Sequence, residues 1–211
     1  ITGEELVFEN IKFSDHDIPT IEEVNVIGKD TVKFVFSEPI NIQADAEEQF
    51  DFEQDGSSFS VKDVISIKDG LEANVVVYDN FKEGDLTVKV GNGLEDYAGF
   101  NIIPNTFKVD VVEDTEAPYV VGYKDAKRDQ VVLIFNEDIE ILSEDEEDYY
   151  HTNKDNIVDD NSIVADTSEP NCSVNGNELT LKFSDNKLPE GIAYVYVKSG
   201  AVSDLWDNEN S

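Results

Sequence analysis

Apolar and polar side chains alternate at a period of two through much of this chain. Thr31-Val32-Lys33-Phe34-Val35-Phe36 keeps the alternation closely, and Val131-Val132-Leu133-Ile134-Phe135 keeps it more loosely. That period marks β-strands with one face buried. Residues 65–68 and 71–78 flank Asp69-Gly70, and residues 172–174 and 178–183 flank Asn175-Gly176. Both pairs tolerate positive φ, so the spacing predicts hairpins with tight primed turns there. Only residues 45–50 and 143–150 suggest a turn or two of helix, the second with Ser143 as a cap ahead of acidic first-turn residues.

The pattern then repeats. Phe36-Ser37-Glu38-Pro39-Ile40 returns 99 positions later as Phe135-Asn136-Glu137-Asp138-Ile139, and Pro19 and Asp15 return as Pro118 and Asp114. A fixed long period means two copies of one small domain in tandem. The predicted hairpin turns lie 106 positions apart, so the second copy has gained about seven residues, placed in the polar stretch 152–170. About seven short strands per copy, with turn signals every ~8–12 residues, predict an all-β fold of tandem immunoglobulin-like β-sandwiches. The expected organisation is a terminal strand and linker over 1–17, domain 1 over 18–114 and domain 2 over 115–211, the last without its final strand. By analogy residues 6–13 read as the last strand of a preceding repeat, with an extra first strand of this one as the alternative. The pattern opens in mid-strand at Ile1, which reads as a piece of a longer chain.

Charge changes the picture more than composition does. The chain carries 48 Asp and Glu against 15 Lys and Arg, a formal charge of −33. Such a chain repels phosphate, so nucleic acid is excluded as a natural partner and anionic membrane surfaces are disfavoured. Yet 39% of residues are hydrophobic and patterned, which separates it from disordered acidic tails. No apolar run reaches the length of a membrane span, so direct membrane insertion is not expected, and no signal peptide is read. The single Cys172 rules out an intrachain disulfide and reads as a small strand residue. Asn171-Cys172-Ser173 matches a glycosylation acceptor only formally. His16 and His151, the only histidines, read as surface residues, so zinc or triad chemistry has little support.

Sandwich topology gathers the scattered acids. The linker before the first strand, the glutamate ending the second strand and the loop before the last strand all reach one pole. In the first copy this brings Asp15, Asp17, Glu38 and Asp96 together. In the second it brings Asp114, Glu116, Glu137 and Asp204 together, with Asp207 and Asn208 nearby. Clustered carboxylates repel unless a cation joins them, and Ca2+ accepts about six to eight oxygen ligands in flexible geometry. The bland alternative is that the acids are solvated loop residues. No EF-hand pattern is present. The second cluster is expected at the junction of the two domains, where an ion shared by both would stiffen the joint.

The run from an Asp-rich linker with Pro19, through residues 31–40, to the loop of residues 96–101 resembles the immunoglobulin-like repeats of bacterial surface-layer (S-layer) and related Gram-positive cell-surface proteins. Asn136 and Asp138 depart from the Ser and Pro of that pattern, and Asp207 stands where Gly is usual. The resemblance implies an extracellular, non-enzymatic structural protein that assembles with copies of itself and with neighbouring domains into a lattice, with calcium ordering the domains. An adhesin stalk, or an accessory ligand- or carbohydrate-binding module of a secreted bacterial protein, is the alternative. Trp206, Tyr149, Tyr150 and Tyr97 are the aromatic candidates for such binding. A carboxylate-paired glycosidase is the third reading, disfavoured because a sandwich of this size has little room for a cleft.

Overall fold

In the computed structural model, residues 15–152, 163–164, 172–183 and 187–211 are described. The strand expected at residues 6–13, Asn171 and most of the polar stretch 152–170 lie outside them. The first copy forms β1 Ile21–Val26, β2 Thr31–Phe36, β3 Ile40–Asn41, β4 Phe50–Gln54, β5 Ser57–Phe59, β6 Val61–Ile67, β7 Glu72–Val77, β8 Gly84–Val90, β9 Glu95–Asp96 and β10 Asn105–Val111. The second forms β11 Val120–Lys127, β12 Gln130–Phe135, β13 Ile139–Ile141, β14 Tyr149–Thr152, β15 Ile163–Val164, β16 Cys172–Asn175, β17 Glu178–Lys182, β18 Tyr194–Val197 and β19 Val202–Asp204. Among the described residues no helix is long and apolar enough to cross a membrane.

Each copy is an immunoglobulin-like sandwich. In the first, the antiparallel sheet β1-β2-β7-β6 faces the sheet β10-β8-β4-β5. In the second, β11-β12-β17-β16 faces β15-β14-β18. The small ribbons β3-β9 and β13-β19 close the pole that carries the acids. The second copy has no described strand matching β10. The two helix-like stretches are single 3-10 turns, Ala46–Gln49 and Glu146–Asp148.

Alternation explains the core. Val32, Phe34 and Phe36 of β2 point inward and meet Phe50 and Phe52 of β4, while Asp51 and Glu53 stay outside. The Phe34 and Phe50 rings are tilted with centroids 4.8 Å apart, a geometry worth about 0.5–1.5 kcal/mol beyond area burial. Gln54 closes that row in the interior by bonding both the amide (2.9 Å) and the carbonyl (2.6 Å) of Lys82. The second core gathers Val131, Leu133, Phe135, Leu179, Leu181 and Phe183.

Three local expectations change. Ile67 pairs with Glu72, so the Asp69-Gly70 connection is a four-residue loop rather than a two-residue turn, although Asp69 does take a positive φ of 58°. Asn175 pairs with Glu178, which makes Gly176 and Asn177 the central turn residues. The Asp-Gly turn of the predicted type is Asp55-Gly56, with φ of 52° and 76°, between β4 and β5. His151 is no surface residue: it is 1% exposed, edge-on to Phe183 with centroids 4.7 Å apart. Tyr149 and Tyr150 are buried as well, and Tyr150 stacks on Tyr196.

The two sandwiches meet end to end. A parallel bridge joins Gly28 to Leu205, and the Lys29 amide donates to the Leu205 carbonyl at 3.1 Å. A Cβ on Gly28 would stand 2.6 Å from the Leu205 Cβ, so only glycine permits this approach. Trp206 lays its half-buried ring against the core of the first sandwich. Polar links surround it: Lys29 with Asp207, Lys33 and Asn74 with Asp138, and the Lys68 amide with Asn175 Oδ1.

Candidate metal centres

Two three-carboxylate clusters stand at equivalent positions, one at the outer pole of the first sandwich and one at the junction. Asp15, Glu38 and Asp96 each bring a carboxylate oxygen within 4.8 Å of the other two, and so do Asp114, Glu137 and Asp204. Like charges about 4 Å apart repel by ~1 kcal/mol in water and ~4 kcal/mol at a protein surface. Each cluster is therefore held together by the fold against the repulsion of its own side chains.

The scaffolding is the same in both copies. The linker is tied to the end of the second strand by paired bonds. The Thr20 amide donates to Ser37 Oγ (3.0 Å) and the Ser37 amide to the Thr20 carbonyl (2.9 Å). At the junction the Tyr119 amide donates to Asn136 Oδ1 (2.7 Å) and the Asn136 amide to the Tyr119 carbonyl (3.1 Å). Asn136 thus does with an amide oxygen what Ser37 does with a hydroxyl. Asp15 Oδ1 accepts from the Asp17 amide, and Asp114 Oδ1 from the Glu116 amide, fixing each linker acid in a tight turn.

The late-loop aspartates are the most constrained members. Asp96 Oδ1 accepts from the amides of Ala98 (2.7 Å) and Phe100 (2.9 Å). Asp204 Oδ1 accepts from those of Trp206 (2.9 Å) and Asn208 (2.7 Å). Both are buried, at 3% and 1% exposure. The loop turns through the left-handed region at Gly99, φ 91°, and at Asp207, φ 70°. The Asp in place of Gly therefore preserves the loop geometry, with a strained backbone that costs on the order of 1 kcal/mol.

The two sites differ in the second oxygen. Asp96 Oδ2 is buried with no hydrogen-bond partner among the described residues. A buried, unpaired carboxylate oxygen is costly unless something positive reaches it. Asp204 Oδ2 accepts from Asn208 Nδ2 at 2.8 Å, and the same amide donates to the Asp114 carbonyl at 2.9 Å. Asn208 thus joins linker to loop, and as arranged here its amide nitrogen, rather than its oxygen, faces the acids.

The other predicted residues fall at the margins. Asp17 and Glu116 lie close enough to raise the neighbouring glutamates but are not among the converging oxygens. Asp207 turns away to pair with Lys29 of the first sandwich. His16 is exposed in the linker. Partial burial, followed by the Asp15 and Asp96 charges, raises Glu38 above its ordinary range. Burial likewise raises Glu137, against a bond from Asn136 and with help from Asp204 and Asp114. All three junction carboxylates come from the linker and the second sandwich. The first sandwich contributes instead to a cavity of about 350 Å³ beside them, where Lys33, Lys68 and Val26 face Asp114, Glu137 and Trp206. Sequence reasoning missed Asp138, whose only signal was that it breaks the repeat at Pro39.

A hard-cation site fits this chemistry: only oxygen donors, several negative charges and one orphaned buried carboxylate oxygen. No protein-family model matches the chain. Its sequence is 31% identical over 220 residues to the outer cell wall protein of Brevibacillus brevis, covering 95% of this chain and 19% of that protein. It is 28% identical over 213 residues to the surface-layer 125 kDa protein of Lysinibacillus sphaericus, covering 97% of this chain and 16% of that protein. The chain thus spans less than a fifth of the length of either relative. The crystal structure of the S-layer protein rSbsC(31-844) aligns with a TM-score of 0.46 at 16% identity, over 85% of this chain and 25% of that one.

Proposed function

We infer that this chain, a relative of Gram-positive outer cell wall and surface-layer proteins, is a structural segment of such a protein: two sandwich modules joined end to end on the cell surface. The observation that carries this reading is the 31% identity to an outer cell wall protein across 95% of the chain. The architecture agrees with it. Two copies of one module, a close backbone joint at Gly28 and Leu205, and a buried ion pair across the junction suit a load-bearing spacer. The role is structural rather than catalytic, and its partners are other copies and the neighbouring domains of a longer chain.

Calcium is the cation that best suits the two clusters. Asp15, Glu38 and Asp96 would hold one ion and Asp114, Glu137 and Asp204 another, each completing its shell with loop carbonyls and water. The junction ion would fasten the linker to the second sandwich, fixing the direction in which the chain leaves the first. Of the four aromatic candidates for an adhesin or glycan-binding role, Tyr149 and Tyr150 are buried and Trp206 packs on the first core, which leaves Tyr97, 71% exposed, as the one such a ligand could reach. Antibodies raised against this chain test the location. Labelling of intact source cells is expected, whereas labelling only after lysis would refute the surface assignment.

A further inference from the structure

The two carboxylate clusters share a scaffold but not a charge balance. At the junction, two side-chain amides give hydrogens to the acids. Asn208 Nδ2 donates to Asp204 Oδ2 at 2.8 Å and to the Asp114 carbonyl at 2.9 Å. A carboxylate and a carbonyl only accept, so the nitrogen must face them. Asn136 Nδ2 donates to Glu137 Oε1 at 2.7 Å, while its own oxygen accepts from the Tyr119 amide. Turning that side chain over would lose both bonds.

The outer cluster has neither donor. Ser37 stands at the place of Asn136 and offers the Thr20 amide its hydroxyl oxygen. Phe100 stands at the place of Asn208, since each supplies the second loop amide to its aspartate. The adjacent Asn101 sends its amide elsewhere, to the Asn92 carbonyl at 2.8 Å. Asp96, 3% exposed, is left with Oδ2 buried and unpartnered among the described residues. Burial, Asp15 and Asp96 all raise Glu38, whereas the Asn136 bond opposes burial at Glu137. The linkers differ too. Asn208 ties the junction linker to the late loop through the Asp114 carbonyl. Among the described residues no hydrogen bond joins residues 15–17 to the loop of residues 95–101.

We propose that Asn136 and Asn208 are internal substitutes for a cation, so that the joint between the modules is fastened with or without calcium and the outer cluster is the calcium-responsive one. The two loop amides on Asp204 Oδ1 leave Oδ2 as the oxygen for an ion, and Asn208 holds it. A cation at the junction must displace that amide. The lost bond is one to a charged group, which weakens binding by about tenfold or more. At the outer pole an ion meets no such competitor and satisfies a buried oxygen that nothing else reaches. Calcium then fastens residues 15–20 to the loop of residues 95–101 and sets the course of the outer linker, while the inner joint keeps its geometry as calcium rises and falls. The outer half of this inference rests on the cation reading; the amide half does not.

Hydrogen exchange of the full chain, in chelator and in calcium, tests both halves. Residues 15–20 and 95–101 should gain protection with calcium, whereas 112–118 and 203–208 should be protected already in chelator and change little. Asn208→Ala should lose protection at 112–118 and 203–208 in chelator and regain it in calcium. Its junction site, titrated by calorimetry, should bind calcium about tenfold or more tightly than in the wild type. Asn136→Ser, which keeps an acceptor for the Tyr119 amide, should shift the same way by less. Melting curves check that both variants remain folded. Equal protection gains at the two clusters would overturn the proposal. So would weaker junction binding in Asn208→Ala, because Asn208 would then be a ligand. Protection in chelator unchanged by Asn208→Ala would overturn the amide half. No effect of calcium at either cluster would overturn the outer half together with the cation reading, and the chelator comparison would still decide the amide half.

Discussion

The Lys33 ammonium lies 2.5 Å from Asp138 Oδ1, joining a strand of the first sandwich to a loop of the second in a largely buried pair. Asn74 Nδ2 holds the other oxygen of Asp138 at 2.9 Å, and Glu72 stands 3.4 Å from the same ammonium. Asp138 occupies the place that Pro39 holds in the first copy. The apparent break in the repeat is thus where one module recognises the other.

Removing one partner of a buried pair strands the other charge, typically at a cost of ~3–5 kcal/mol. Asp138→Ala is therefore expected to destabilise the chain by about 3 kcal/mol in urea unfolding. It should also split a single transition into two, as the modules lose their coupling. Lys33→Ala should behave alike, and the double variant should lose far less than the sum.

Asp207 holds the left-handed position of its loop and pairs with Lys29. Asp207→Gly relieves a left-handed backbone at φ 70° but gives up the pair with Lys29. The second sandwich should keep its stability or gain up to about 1 kcal/mol, since the strain is relieved and an exposed pair contributes little. Coupling between the modules should weaken, which dipolar couplings or scattering would read as a wider spread of interdomain angles.

Gly28→Val is expected to do more. Its Cβ would collide with Leu205 at 2.6 Å, so the poles must separate. The loss should appear as a longer and less rigid particle in small-angle scattering, while each core unfolds much as before.

The two cluster glutamates give a pH dependence whose sign follows from their shifts, above the range in which Asp15, lowered chiefly by the bond from the Asp17 amide, would act in the opposite sense. Glu38 and Glu137 are raised above their ordinary 4.5 in the folded chain. Between that value and the raised one the folded state holds protons that the unfolded state has released. Stability from this source therefore falls as pH rises through that window. Without divalent cations the melting temperature should rise as pH is lowered through that window toward the ordinary glutamate value of 4.5. In saturating calcium the trend should flatten or reverse, because the ion requires the ionised form.

Cys172 makes a simpler case. Burial pushes its thiol up to about 11, and the residue is 4% exposed. A disulfide reagent at pH 8 should leave it unmodified in the native chain and modify it at once in denaturant.

Much of this was legible in the sequence, for identifiable reasons. The convergence of Asp15, Glu38 and Asp96 follows from strand order alone, since topology decides which loops share a pole. The period-two run at residues 31–36 names three core positions directly. Other features were hidden because tertiary packing overrides local pattern. All four residues of β14 are buried, so His151 gives no alternation that would reveal it as interior. Trp206 looks like a loop aromatic because its contact, the first core, lies far away in sequence. Asp55-Gly56 carries the same Asp-Gly turn signal as Asp69-Gly70. Asp138 and Lys33 lie 105 positions apart, and nothing local pairs them.

The central claim is that each carboxylate cluster holds a calcium ion, and calorimetric titration of calcium into the chelator-treated chain tests it most directly. The account predicts two sites, a rise in melting temperature well beyond that given by magnesium, and loss of one site in Asp96→Asn and of the other in Asp204→Asn. Each of those substitutions keeps the side-chain oxygen that accepts the loop amides and removes the charge. Absence of binding heat, with stability following ionic strength alone, would contradict it and leave the acids as a solvated surface.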